Sequence, residues 1–153
     1  MNGDAENTAR KQGQFQISCF YVGQALCGID ISYVQEINKQ VHFTAVPHSP
    51  EYVVGIMNLR GKIVTIIDLG KKLGIDSCTD ITDQTRIIIV SSRREFIGLL
   101  VDKVTDVVLA DWEDVSPPPA NIRGVNGRFF QGVYKPGNRL VAILDVEEVL
   151  GDE

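Results

Sequence analysis

Residues 17–37 read ISCFYVGQALCGIDISYVQEI, and residues 87–107 read IIIVSSRREFIGLLVDKVTDV. At a shift of 70 they match without a gap: Ile17 falls on Ile87, Cys19 on Ile89, Leu26 on Phe96 and Gly28 on Gly98. Ile29 falls on Leu99, Ile31 on Val101, Val34 on Val104, Glu36 on Asp106 and Ile37 on Val107. Pro47 meets Pro117 at the same shift. A shift of 77 continues the match, pairing Gly55 with Gly132, Ile56 with Val133, Ile63 with Leu140 and Ile66 with Ile143. Asp68 then meets Asp145, Leu73 meets Leu150 and Gly74 meets Gly151. The matched positions are apolar, glycine, proline and acidic, the kinds a shared backbone demands. Two similar β units follow, each a hairpin, a loop, a second hairpin and a short helix.

The apolar runs fit strands. Phe15 to Val22 and Ala25 to Ile31 flank the turn Gly23-Gln24. Ile63 to Leu69, Ile87 to Val90, Phe96 to Val101 and Leu140 to Val146 complete the set. Helical turns are expected only at Leu69 to Leu73, at Val146 to Leu150 and around Val34 and Ile37. The chain holds 16 Ile and 18 Val against 10 Leu and 7 Ala, and β-branched side chains favour a pleated surface over a helix. The expected class is all-β.

With 15 basic and 20 acidic residues the net charge is −5, and basic residues run no longer than a pair, at Lys71-Lys72 and Arg93-Arg94. Nucleic-acid binding, which draws its affinity from phosphate contacts, is not expected. The longest dense apolar stretch, Phe96 to Val101, is far short of the ~20 residues that span a bilayer. Met1 to Gln12 is polar, with no signal-peptide run. Three cysteines, Cys19, Cys27 and Cys78, form no CxxC pair. They suggest neither a disulfide framework nor a zinc site, but small core-filling side chains in a reducing compartment.

Catalytic patterns are thin. His42 and His48 lie six apart around Pro47, a spacing that suits loops better than a metal. No GxSxG or GxxxxGK[ST] occurs, and Gly124 and Gly127 bracket a loop rather than a phosphate cradle. Asp68 and Asp145, at strand ends before helical turns, read as N-caps. Asp111, Glu113 and Asp114 around Trp112 read as a solvated acidic loop ahead of Pro117-Pro118-Pro119. One turn differs between the repeats. Asn58-Leu59-Arg60-Gly61 corresponds to Lys135-Pro136-Gly137-Asn138, so Arg60 stands where the second unit has Gly137. A hairpin needs no arginine there, which marks Arg60 as functional and dispensable to the fold.

The blocks Cys27-Gly28-Ile29-Asp30-Ile31, Val34-Gln35-Glu36-Ile37, Val46-Pro47 and Gly55-Ile56-Met57-Asn58-Leu59-Arg60-Gly61-Lys62-Ile63 stand in this order. Ile66-Ile67-Asp68-Leu69, Ile97-Gly98-Leu99-Leu100-Val101-Asp102-Lys103-Val104, Val107, Pro117-Pro118-Pro119 and Leu144-Asp145 follow. In these blocks the sequence resembles the CheW-like family of chemotaxis coupling proteins. The resemblance implies an all-β fold of two SH3-like five-stranded β-barrels related by the internal repeat. It implies one CheW-like domain over residues 14–150 behind a flexible tail at 1–13. The first barrel would cover roughly 14–82 and the second roughly 83–150, with the N-terminal strand helping to tie them together.

It also implies a non-enzymatic adaptor without cofactor or metal. Such an adaptor joins the cytoplasmic tips of methyl-accepting chemoreceptors to the regulatory domain of the histidine kinase CheA. It would be cytoplasmic, recruited to membrane receptor arrays without entering the bilayer, and no receiver domain is expected. Carried over by position, receptor contact falls on Val34, Glu36, Arg60, Val104 and Val107, in a seam between the units. Kinase contact is left to barrel surfaces away from that seam. A type IV pilus or other chemosensory pathway would use the same domain. A rival of another class is a double barrel that binds a small ligand in the seam, with Glu36 and Arg60 inside.

Overall fold

The computed structural model describes residues 12–75, 80–92, 95–122 and 125–151. Cys78 and the pair Arg93-Arg94 lie outside them, as do residues 1–11 of the expected tail. The strands are β1 (Gln14–Val22), β2 (Ala25–Asp30), β3 (Val34–Asn38), β4 (Val53–Leu59), β5 (Lys62–Asp68), β6 (Arg86–Ser92), β7 (Glu95–Val101) and β8 (Lys103–Asp111). They continue with β9 (Asn121–Ile122), β10 (Val125–Asn126), β11 (Phe130–Tyr134) and β12 (Val141–Leu144). Two helices, α1 (Leu69–Leu73) and α2 (Val146–Leu150), follow β5 and β12.

One sheet has the order β11-β12-β2-β1-β8 and the other β4-β5-β7-β6-β3, with β9-β10 a separate pair. Replacing each strand of the first by its repeat partner yields the second, so the repeat is a true pseudo-symmetry. It holds residue by residue. Cys19 pairs with Gly28 and Ile89 with Gly98. Ile143 pairs with Gly28 and Ile66 with Gly98, in both cases between parallel strands. Asp68 and Asp145 cap α1 and α2 by accepting from the N–H three residues on, and their own N–H groups donate to Tyr52 and Phe129. One match from the sequence fails. Thr44 bridges Ile56 where Ser116 bridges Val133, so Thr44 corresponds to Ser116, two residues beyond the position that a shift of 70 gives, and Pro47 and Pro117 are not equivalent. These bridges draw the outer strands of each sheet together and close it into a barrel.

The units do not divide the chain at 82/83. The hairpin β1–β2 sits in the sheet of β8, β11 and β12, while β6–β7 sits in that of β3, β4 and β5. Each unit thus lends its first hairpin to the other's sheet. The reason is burial. Phe15, Ile17, Cys19, Val141 and Ile143 fill one barrel; Val64, Ile66, Ile87, Ile89 and Leu100 fill the other. The opposite faces of the same strands meet in a third, larger cluster. There Phe20, Val22, Cys27, Ile29 and Leu144 pack with Ile67, Ile88, Val90, Leu99 and Val101, and both helices dock on it. A half of about 70 residues makes a marginal core alone; exchanged hairpins let both halves share one.

Candidate functional site: the seam between the barrels

The repeat places β3 and β8 at equivalent sheet edges. Sequence spacing suggested a helical turn at Val34 to Ile37. In the structure the turn is a 3-10 helix at Ile31–Tyr33, and Val34 already begins β3. Val34 and Ile37 nevertheless share a face, because the pairing slips by one residue between Val34 and Glu36. This β-bulge does what a helical turn would have done. Val34 pairs with Val90 and Ile37 with Ile88, both in the central cluster. The same bulge recurs in β8, where Val104 pairs with Phe20 and Val107 with Ser18.

Val34 and Val104 are half-buried against the central cluster. Beyond them the apolar face runs out to solvent: Ile37 is 40 % exposed, Val107 55 % and Leu109 58 %. The Ser18 hydroxyl, under Val107, is the one buried side-chain polar atom among the described residues without a hydrogen bond.

Glu36 does not face this seam. It pairs with Ile89, whose side chain fills the barrel interior. Its carboxylate forms an ion pair with Arg60, reaching from the β4–β5 turn at the opposite edge of the same sheet. That turn is a two-residue hairpin closed by the pair Leu59 and Lys62, with Gly61 N–H donating to Asn58 Oδ1 at 2.9 Å. Both turn residues have positive φ, 51° at Arg60 and 87° at Gly61, and the counterpart Gly137 has 65°. A side chain costs ~1–2 kcal/mol in that conformation. The arginine therefore stands where the fold prefers glycine.

The sequence-derived set thus splits. Val34, Val104 and Val107 lie on the seam face; Glu36 and Arg60 form a charged latch at the rim of one barrel. Two features were not singled out. Ile37 and Leu109 extend the apolar face, and the shift that matched Ile37 to Val107 already carried a signal for the first. The other is a second latch, Asp106 with Arg139 at 3.4 Å, built like the first from an acid on the edge strand and an arginine in the connection of the next hairpin. The Thr105 hydroxyl donating at 2.9 Å, with Arg139 beside it, holds the Asp106 carboxyl below its usual range. Arg139 is two residues past Gly137, which hid the correspondence.

Among the described residues no group of three or more His, Cys, Asp or Glu is placed to hold a metal. No helix there is long and apolar enough to cross a membrane. Cys19 and Cys27 are buried, and burial pushes their thiols up to about 11 and about 12, away from the reactive thiolate. His42 is exposed and His48 lies in a turn with φ 64°.

An apolar seam between two pseudo-symmetric barrels, flanked by ion-paired arginines, defines a double-barrel docking module. The profile of the CheW-like domain matches residues 16–153, and the chain belongs to this family of chemotaxis coupling adaptors. It is 33 % identical over 141 residues to a probable chemotaxis protein CheW of Rhizobium etli, covering 92 % of this chain and 90 % of that one. It is also 33 % identical over 134 residues to the chemotaxis protein CheW of Bacillus subtilis, covering 88 % and 85 %. The crystal structure of the scaffolding protein TtCheW from Thermoanaerobacter tengcongensis superposes with a TM-score of 0.83 at 34 % identity, covering 90 % of this chain and 88 % of that one.

Proposed function

We propose that this chain performs no chemistry and couples the cytoplasmic tip of methyl-accepting chemoreceptors to the regulatory domain of the histidine kinase CheA. The protein works in the cytoplasm and is recruited to receptor arrays at the membrane. The observation that carries the reading is the seam, where two repeat-related valines rest on one core and their faces continue into exposed Ile37, Val107 and Leu109. Such a face suits the apolar side of a receptor helical hairpin. Arg60, 73 % exposed and bonded through Nη2 to Glu36, keeps other donors for a receptor carboxylate or carbonyl.

Titration against a receptor cytoplasmic fragment and, separately, the kinase regulatory domain tests this. Val107→Glu and Arg60→Ala should each weaken receptor binding by ~1.5–3 kcal/mol, about tenfold to a hundredfold. Kinase binding should be unchanged by both. Wild-type protein that binds neither partner overturns the reading.

A further inference from the structure

The two halves of the seam differ at one buried position. Ile37 pairs with Ile88, which is fully buried in the central cluster. A shift of 70 puts Ser18 in the place of Ile88, and Ser18 pairs with Val107 as Ile88 pairs with Ile37. On the inner side Ser18 pairs with Ile29, as Ile88 pairs with Leu99. The backbone surroundings are thus the same, and the side chain differs. Isoleucine suits such a position because it adds apolar area to the core. Serine, 3 % exposed, buries a hydroxyl that takes up no hydrogen bond, which costs stability.

This hydroxyl lies where the core meets the exposed apolar face. Strand β1 runs between β2 and β8, so the main-chain groups beside Ser18 are engaged in two ladders. Its neighbours toward solvent are Val107 and Leu109, both more than half exposed, and Leu109 pairs with exposed Gln16. A valine that exposed can turn about χ1 without unpacking the core. The partner that the fold does not supply can therefore arrive from the docking side.

We propose that Ser18 sets the register of the receptor helix on the seam by bonding one neutral side-chain amide of that helix, an asparagine or a glutamine. The inference rests on the receptor reading of the seam. Apolar contact is non-directional, so a face of Val34, Ile37, Val104, Val107 and Leu109 holds a helix nearly as well one turn to either side. A single buried polar pair makes those registers unequal, as a polar residue does in the seam of a coiled coil. The main chain of a helix is bonded within itself, so the group must be a side chain. A charged one is costly in apolar surroundings. An amide both donates and accepts, matching a hydroxyl.

The test compares the full-length protein with Ser18→Ala in three measurements. The denaturant midpoint of the free variant should be unchanged or higher, because the hydroxyl has no partner to lose. Binding to the receptor cytoplasmic fragment should weaken at least fivefold, and binding to the kinase regulatory domain should stay the same. A benzophenone photoprobe in place of Gln16 should mark one receptor position with Ser18 present, and positions one helical turn apart with alanine. Should Ser18→Ala fold poorly, the isosteric pair Ser18→Thr and Ser18→Val repeats the comparison, with tight binding kept only by threonine. Unchanged receptor binding or an unchanged cross-link overturns the proposal. So does a clear loss of stability in the free Ser18→Ala variant, since the hydroxyl would then be bonded within the protein. Wild-type protein that binds no receptor fragment overturns the receptor reading itself. Wild-type binding that Val107→Glu weakens and Ser18→Ala does not overturns the register proposal alone.

Discussion

Arg60 holds a backbone conformation that Gly137 takes freely, and its ion pair with Glu36 is largely solvent-exposed on the arginine side. Exposed pairs contribute ~0–1 kcal/mol, no more than the left-handed backbone costs. Arg60→Gly should therefore leave the melting temperature unchanged or raise it, while receptor binding falls as it does for Arg60→Ala. A thermal melt beside the receptor titration checks both halves. Asp68→Ala reverses the pattern. It removes the cap on Lys71 N–H at 3.2 Å, costs ~1 kcal/mol and spares receptor binding. The buried thiols set a pH limit. In the unfolded chain they ionise near 9.0, but burial raises them, helped at Cys19 by Asp106 and at Cys27 by Cys19. Above that pH the unfolded chain loses protons that the folded chain keeps, so stability falls as pH rises past about 9. Denaturant midpoints at pH 8 and 10 should show the fall, and Cys27→Ala should reduce it.

At the scale of elements, the barrel seams depend on close backbone approach. A Cβ on Gly55 would collide with the Thr44 carbonyl, and one on Gly132 would lie 2.5 Å from that of Ser116. Backbone cannot step aside as a side chain can. Gly55→Ala should break the two bonds to Thr44 and cost ~1–3 kcal/mol. Amide exchange at Thr44 and Ile56 should then quicken more than in the other barrel. The helices α1 and α2 were legible as short segments because an aspartate opens each and apolar residues recur behind it. The seam strands were legible only in part. Val34 and Ile37 three apart are the mark of a helical turn, and a β-bulge, which has no composition of its own, produced the same shared face.

For the whole molecule the exchange of hairpins is decisive. Residues 1–82 contain β1 and β2 without their partners β8 and β12, and residues 83–153 contain β6 and β7 without β3 and β5. Each fragment would expose half of the central cluster. Expressed separately, the two should lack cooperative unfolding transitions; mixed, they should assemble into a 1:1 complex with native-like circular dichroism. Independent folding of either fragment would contradict the shared core. Because the cluster draws on both sheets, the two barrels share one packed interior.

The sequence by itself determined that this is an all-β protein written twice. Strand-forming side chains, turn residues and capping aspartates are local properties, and they recur at fixed spacing. It also singled out Arg60, because a repeat exposes the position at which one copy departs from the other. Which hairpin joins which sheet was decided only in three dimensions. The strands of either assignment have the same local pattern, and the choice rests on burying one face inside a barrel and the other between barrels. The meeting of Glu36 with Arg60, 24 residues apart, was decided at the same level, since it requires the two edges of a five-stranded sheet to curl together.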